Sequence, residues 1–187
     1  MRHALKNALD TLSNGGVIIY PTDTVWGIGC DATNENAVER IYTIKKRTHA
    51  KSMLILTDDV EKLSDYIENV PEMALKLIRL SDRPLTIIYP HAKNLAPNLI
   101  ADDGSVGIRI TTERFSKNLC KQFGKPIVST SANIADKRSP ANFNEITEEI
   151  KKEVDYVVTC RRYETVGRSP STIIRIDNEN RLEIIRK

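Results

Sequence analysis

Apolar and polar positions recur along this chain in two periods, and the switches between them predict its elements. Ala4, Leu5, Ala8, Leu9 and Leu12 stand at helical spacing, which predicts a helix over 2–13 ended by Asn14-Gly15-Gly16. Val17, Ile18, Ile19 and Tyr20 form a β-branched and aromatic run, read as a buried strand stopped by Pro21, which has no N–H for a ladder. After Ala32, Thr33 or Asn34 can cap a helix whose face is Val38, Ile41, Tyr42 and Lys45. A strand is expected over 53–56, a short helix from Asp58 through Leu63 and Ile67, and a further helix opened by Pro71. Strands follow over 85–89 and 105–110, and Thr111 or Thr112 can cap a helix that carries Phe115, Leu119, Cys120 and Phe123 before Gly124. Ile127 and Val128 open another strand, a helix over 143–154 buries Phe143, Ile146 and Ile150, and Tyr156 to Val158 form a strand. Two closing strands, from Ser171 and up to Arg186, turn about Asp177-Asn178. Strands alternating with helices predict one α/β domain over 1–187 with a mixed sheet.

Several of these strands end in groups suited to chemistry. Beyond Pro21, Thr22, Asp23 and Thr24 offer three short side-chain oxygens, and Gly27 and Gly29 allow a close backbone approach or positive φ. The same residues suit an Asx or Thr turn that satisfies only its own backbone, or a small-ligand site. The cluster Lys45-Lys46-Arg47, continued by Lys51, either complements a helix C-terminus or binds phosphate. Arg109 lies in the middle of an apolar strand and there requires an anionic partner. Ser129, Thr130, Ser131 and Asn133 end a core strand in small polar groups.

The composition narrows the classes. The chain has 187 residues, 40% hydrophobic and 28% charged, with a formal net charge of +3, which is ordinary for a globular domain and too small an excess to name a partner. Cys30, Cys120 and Cys160 are odd in number and lack C-x-x-C spacing, so neither a disulfide framework nor a zinc site is indicated, and a reducing cytosol fits. No apolar run reaches membrane-spanning length, and the N-terminus lacks the apolar core of a signal peptide. The phosphate loop G-x-x-x-x-G-K-[ST], the dinucleotide fingerprint G-x-G-x-x-G and the nucleophile elbow G-x-S-x-G are absent. His3, His49 and His91 all precede the serine cluster, against the chain order of an α/β-hydrolase triad, and they lack metal-ligand spacing. Strands ending in Thr, Ser, Asn and Arg, with cations on the loops, suit a polyphosphate ligand, most naturally a nucleotide.

Five segments in order carry a family resemblance. Pro21-Thr22-Asp23-Thr24-Val25-Trp26-Gly27-Ile28-Gly29, Ile44-Lys45-Lys46-Arg47, Val106-Gly107-Ile108-Arg109, Ser129-Thr130-Ser131-Ala132-Asn133 and Ser171-Thr172-Ile173-Ile174 resemble the motifs of the YrdC-like family of threonylcarbamoyl-AMP synthases. The resemblance implies a twisted mixed sheet with flanking helices around an electropositive concave cavity. It also implies the formation of threonylcarbamoyl-AMP and pyrophosphate from L-threonine, bicarbonate or carbon dioxide, and ATP. Partner proteins would then transfer the threonylcarbamoyl group to tRNA. Carried over by residue, Thr24, Arg109, Ser129 and Ser171 meet threonine, while Lys45, Arg47, Lys51, Ser105, Ser131, Asn133, Ser139 and Arg186 meet ATP. Lys45 and Arg47 would position and neutralise the phosphates, with no protein nucleophile. Magnesium is expected with the ATP, without a named protein ligand. The chain departs from the pattern at Trp26, at Asp23 and at Lys51-Ser52-Met53, and it has Ile134-Ala135-Asp136-Lys137 where Ser-Gly is usual. It resembles the short form of the family. A competing class is a module that holds tRNA or double-stranded RNA by phosphates and shape, although only 5% of residues are aromatic and they are unclustered.

Overall fold

A computed structural model describes residues 1–49, 53–165, 169–177 and 179–187. Helix α1 (Arg2–Ser13) leads into strand β1 (Ile18–Tyr20), which pairs antiparallel with β2 (Gly27–Gly29). Helix α2 (Glu35–Lys45) begins at Asn34, whose side chain accepts from the Ala37 N–H, as an N-cap should. Strand β3 (Leu54–Thr57), helices α3 (Leu63–Tyr66) and α4 (Glu72–Leu80), β4 (Leu85–Tyr89), β5 (Val106–Ile110), α5 (Arg114–Phe123) and β6 (Ile127–Ser131) follow. The chain closes with α6 (Glu148–Glu153), β7 (Tyr156–Val157), β8 (Thr172–Ile176) and β9 (Leu182–Arg186).

The sheet order is β7-β1-β2-β6-β3-β5-β4-β8-β9. The pairs β1/β7, β3/β5 and β4/β8 are parallel and the others antiparallel, so the sheet is mixed. Helices α1 and α5 pack on each other, burying Ala4, Ala8 and Leu12 of one and Phe115, Leu119 and Cys120 of the other. No helix among the described residues is long and apolar enough to cross a membrane.

One local alternative is decided and two expectations need correction. Gly27 and Gly29 belong to a strand and neither has positive φ. The close approach is what requires glycine: a Cβ on Gly29 would lie 2.1 Å from the Val128 carbonyl oxygen and 2.8 Å from Tyr20 Cε1. Helix α5 is capped by Glu113, whose carboxylate accepts from the N–H groups of Phe115 and Ser116, while Thr111 turns inward to share a 2.7 Å hydrogen bond with Ser116 Oγ. The helix expected over 143–154 is a 3₁₀ turn (Phe143–Glu145) followed by the shorter α6. Ile146 and Thr147 are extended and separate the two, while side-chain bonds hold the 3₁₀ turn: Asn142 accepts from Asn144 N–H, and Glu145 accepts from Ala141 N–H and the Asn142 amide.

Candidate functional site

One face of the sheet forms the floor of a cavity of about 570 Å³, within the range of small-molecule sites. Its floor shows the period of two that strands impose: Gly107 and Arg109 from β5, Thr86 and Ile88 from β4, Ile173 and Arg175 from β8. Ser129, Thr130 and Ser131 enter from β6, Gly27 from β2 and Arg186 from β9. Loops close the sides with Thr24, Arg47, Asp102, Asp103, Ser105, Ser139 and Ser171. Four arginines, Arg47, Arg109, Arg175 and Arg186, face two carboxylates, Asp102 and Asp103, so the wall is net positive.

At Thr24 both readings of the polar turn are realised. Thr22 Oγ1 donates to the Val25 carbonyl at 2.7 Å and accepts from Thr24 N–H at 3.0 Å, so Thr22 serves the turn. Thr24 Oγ1 shares a 3.1 Å bond with Thr22 Oγ1, but it also accepts from Arg109 Nη2 at 3.2 Å and lines the cavity. The anion that Arg109 requires is Asp23, with Nε and Oδ1 3.1 Å apart and side-chain exposures of 3% and 7%. Burial holds the Asp23 carboxyl above its ordinary range even though the Arg109 charge opposes the shift.

The basic cluster splits three ways. Lys46 ends α2 in the left-handed region at φ 51° and sends its ammonium outward to Glu149 at 2.8 Å. Arg47, beyond that turn, is half-buried and lines the cavity, and desolvation lowers its pKa. Lys45 points inward, is 1% exposed, and donates to the carbonyls of Ser131 at 2.5 Å and Asn133 at 2.6 Å. Burial, and secondarily the Arg47 charge, pulls Lys45 down to about 7. Its own carbonyl accepts from Ala135 N–H, so Lys45 holds the 131–135 loop from both ends.

That loop carries the remaining polar candidates. Asn133 is not on the cavity wall; its amide donates to the Ile134 and Lys137 carbonyls and fastens its own turn. Asp136, in the stretch where Ser-Gly is usual, sits at φ 62°, a conformation that glycine adopts most readily. Ser139 beyond it reaches the cavity.

At the other end, Arg186 Nε and Nη2 donate to the Ser171 carbonyl at 3.0 and 2.9 Å, and Ser171 Oγ shares a 2.8 Å bond with Thr86. Burial and the nearby Arg109 charge both lower the Arg186 pKa. The structure thus gathers Thr24, Arg47, Ser105, Arg109, Ser129, Ser131, Ser139, Ser171 and Arg186 around one cavity, leaves Lys45 and Asn133 behind its wall, and does not describe Lys51. Thr86, Arg175 and the pair Asp102-Asp103 were missed from the sequence. Thr86 and Arg175 carried the same signal as Arg109, a polar group inside an apolar strand run. Among the described residues no group of three or more His, Cys, Asp or Glu could hold a metal ion.

Comparison with known proteins gives the family and the fold. The Sua5/YciO/YrdC family model, described as "Telomere recombination", matches residues 10–187. A Pseudoalteromonas translucida protein named threonylcarbamoyl-AMP synthase is 34% identical over 154 residues, 81% of this chain and 82% of that one. The structure of P. abyssi Sua5 complexed with L-threonine superposes with a TM-score of 0.80 at 26% identity, over 91% of this chain and 50% of that one, so the chain spans half its length. Escherichia coli YciO superposes with a TM-score of 0.86 at 24% identity, over 100% of this chain and 90% of that one, a likeness of fold.

Proposed function

Because the chain belongs to the Sua5/YciO/YrdC family, we propose that it is an L-threonylcarbamoyladenylate synthase, a nucleotidyltransferase acting as a single YrdC-like domain. The observation that carries this reading is the division of one cavity into two kinds of wall. A buried guanidinium beside a threonine hydroxyl, Arg109 with Thr24, suits the carboxylate and hydroxyl of an amino acid. Arg47, with Ser131 at the end of β6, Ser139 on the loop that follows and Arg186 across the floor, suits a nucleotide polyphosphate.

The chemistry asks little covalent work of the protein. The amine of threonine takes up carbon dioxide as a carbamate, and a carbamate oxygen attacks the α-phosphorus of ATP. The bond to the bridging oxygen breaks, and pyrophosphate leaves with that electron pair. Threonylcarbamoyl-AMP remains. Arg109 and Thr24, with Ser129 and Ser171, hold threonine, while Arg47 and Arg186 balance charge that grows on the leaving group. Lys45 and Asn133 act by holding the end of β6 at Ser131 and the loop beyond it that leads to Ser139. When bound with ATP, magnesium would add further neutralisation of the phosphates. The oxygen-rich wall suits such a hard cation, and Asp102, an exposed carboxylate without an ion pair among the described residues, is the side chain to hold it. In the cytoplasm, transfer proteins would consume the adenylate in modifying tRNA.

Incubation with ATP, L-threonine and bicarbonate, assayed for pyrophosphate and the adenylate, tests the proposal. Release that needs all three is expected. Equal release from ATP alone would identify a nucleotide hydrolase instead.

A further inference from the structure

The pair Asp23–Arg109 separates two cavities. Arg109 lines the main one, whereas Asp23 lines a smaller space of about 170 Å³ behind the sheet, bounded by Ile78, Asp82, Leu85, Ile110 and Thr112 among others. Asp23 therefore reaches the guanidinium from the side away from the ligand. A guanidinium offers its donors along two edges. Asp23 Oδ1 lies 3.1 Å from Nε as an ion pair and Thr24 Oγ1 accepts from Nη2 at 3.2 Å, so both groups stand along the edge from Nε to Nη2. Nη1 makes no hydrogen bond with any described residue, which leaves the edge from Nη1 to Nη2 for the cavity.

Packing alone does not account for this arrangement. Arg109 Nε and Asp23 Oδ1 lie close but are not aligned as a hydrogen bond, and neither has another partner among the described residues. Burying a carboxylate here without an aligned donor is costly. A neutral side chain of similar volume would leave Arg109 as an unbalanced buried cation free to choose other acceptors. The carboxylate instead fixes which edge is presented.

We propose that Asp23 is a positioning residue for substrate binding: it clamps Arg109 from behind, so that the free guanidinium edge faces the main cavity as a fork for the α-carboxylate of the amino-acid substrate. Asp23 itself does not touch the substrate. The proposal rests on the synthase reading for the identity of that substrate, while the clamp itself is a property of the ligand-free protein.

The test compares wild type with Asp23→Ala and the nearly isosteric Asp23→Asn. Binding of L-threonine and of L-threoninol, which lacks the carboxylate, is measured for each by calorimetry. The wild type should prefer threonine, and Asp23→Ala should lose about tenfold of that preference, the scale of a charge-assisted contact that is no longer aligned. ATP affinity measured without threonine should change less than about threefold. Asp23→Asn, which keeps an oxygen for Nε, should fall between them. A purely structural role would weaken both ligands alike, so an unchanged threonine-to-threoninol ratio in the folded variants overturns the proposal. If Asp23→Ala does not fold, the ratio in Asp23→Asn decides. The Arg109 Nε–H resonance supplies a reading without ligand: buried beside the Asp23 carboxylate at 3% exposure, it should exchange slowly with water in the wild type and faster in both variants, where the guanidinium is free to turn. Failure of wild type to bind threonine would overturn the synthase reading, and unchanged Nε–H exchange in the variants would separately overturn the clamp.

Discussion

Stability of the wild type is expected to rise with pH above neutrality, and Lys45→Met should remove that rise. The Lys45 ammonium is 1% exposed between the carbonyls of Ser131 and Asn133, and burial brings its pKa down to about 7. In the unfolded chain a lysine titrates near 10.4. Between those values the unfolded chain holds a proton that the folded chain has released, so stability rises with pH. Below about 7 both states are protonated and the burial penalty is present in full. From pH 7 to 9 the relief amounts to about 2 kcal/mol, or roughly 4–8 °C in melting temperature for a chain of this size. Methionine has similar length and no proton to release. Its own effect at pH 7 combines a gain from losing the buried charge with a cost of about 1–3 kcal/mol for each of two unpaired carbonyls, and it is the same at every pH, so the slope alone carries the test. Calorimetric melting of both proteins at pH 7, 8 and 9 and constant ionic strength tests this, since other titrations cancel in the difference. Equal slopes would refute the assignment of a buried, charge-stressed strut to Lys45.

Three further outcomes are expected. Gly29→Ala should destabilise by about 3 kcal/mol or more, because its Cβ would meet a backbone oxygen of β6 and the β2–β6 pair would have to open; denaturant melts read this, and a loss under about 1 kcal/mol would contradict the packing argument. Arg47→Ala should weaken ATP binding about tenfold or more, whereas Thr24→Ala should weaken threonine binding by a neutral contact of roughly 0.5–1.5 kcal/mol and spare ATP; calorimetry with each ligand would expose a reversed assignment. Any RNA binding that rests on the arginine wall alone should fall steeply with salt and show little sequence preference, and salt-insensitive, selective binding of tRNA in filter assays would demand another surface.

Local pattern was enough for most elements, because helix and strand periods are written residue by residue. The helical spacing even placed Lys45 on the face of Val38, Ile41 and Tyr42, and the structure buries all four. The Gly124 helix end and the Asn34 cap were also legible, since each is decided within a few residues. The polar interruptions Arg109 and Ser129–Ser131 marked the cavity floor for a similar reason: a charge or hydroxyl in a core strand needs a partner or a solvent-filled space.

The alternation of elements, the strand ends that carry polar groups and the family to which the ordered motifs belong thus follow from local pattern and motif order. Tertiary structure alone decided which of those groups meet. Strand β5 lies between β3 and β4, which sets Thr86 opposite Arg109, and no local signal specifies that register. The same holds for Asp23, whose role depends on approaching Arg109 from behind the sheet, and for Gly29, whose missing side chain is explained by a carbonyl about a hundred residues away. Lys45 shows the division within one residue: its place on an apolar face is set by a period of 3.6, but whether its charge faces a ligand or two carbonyls is set by where the chain returns after β6.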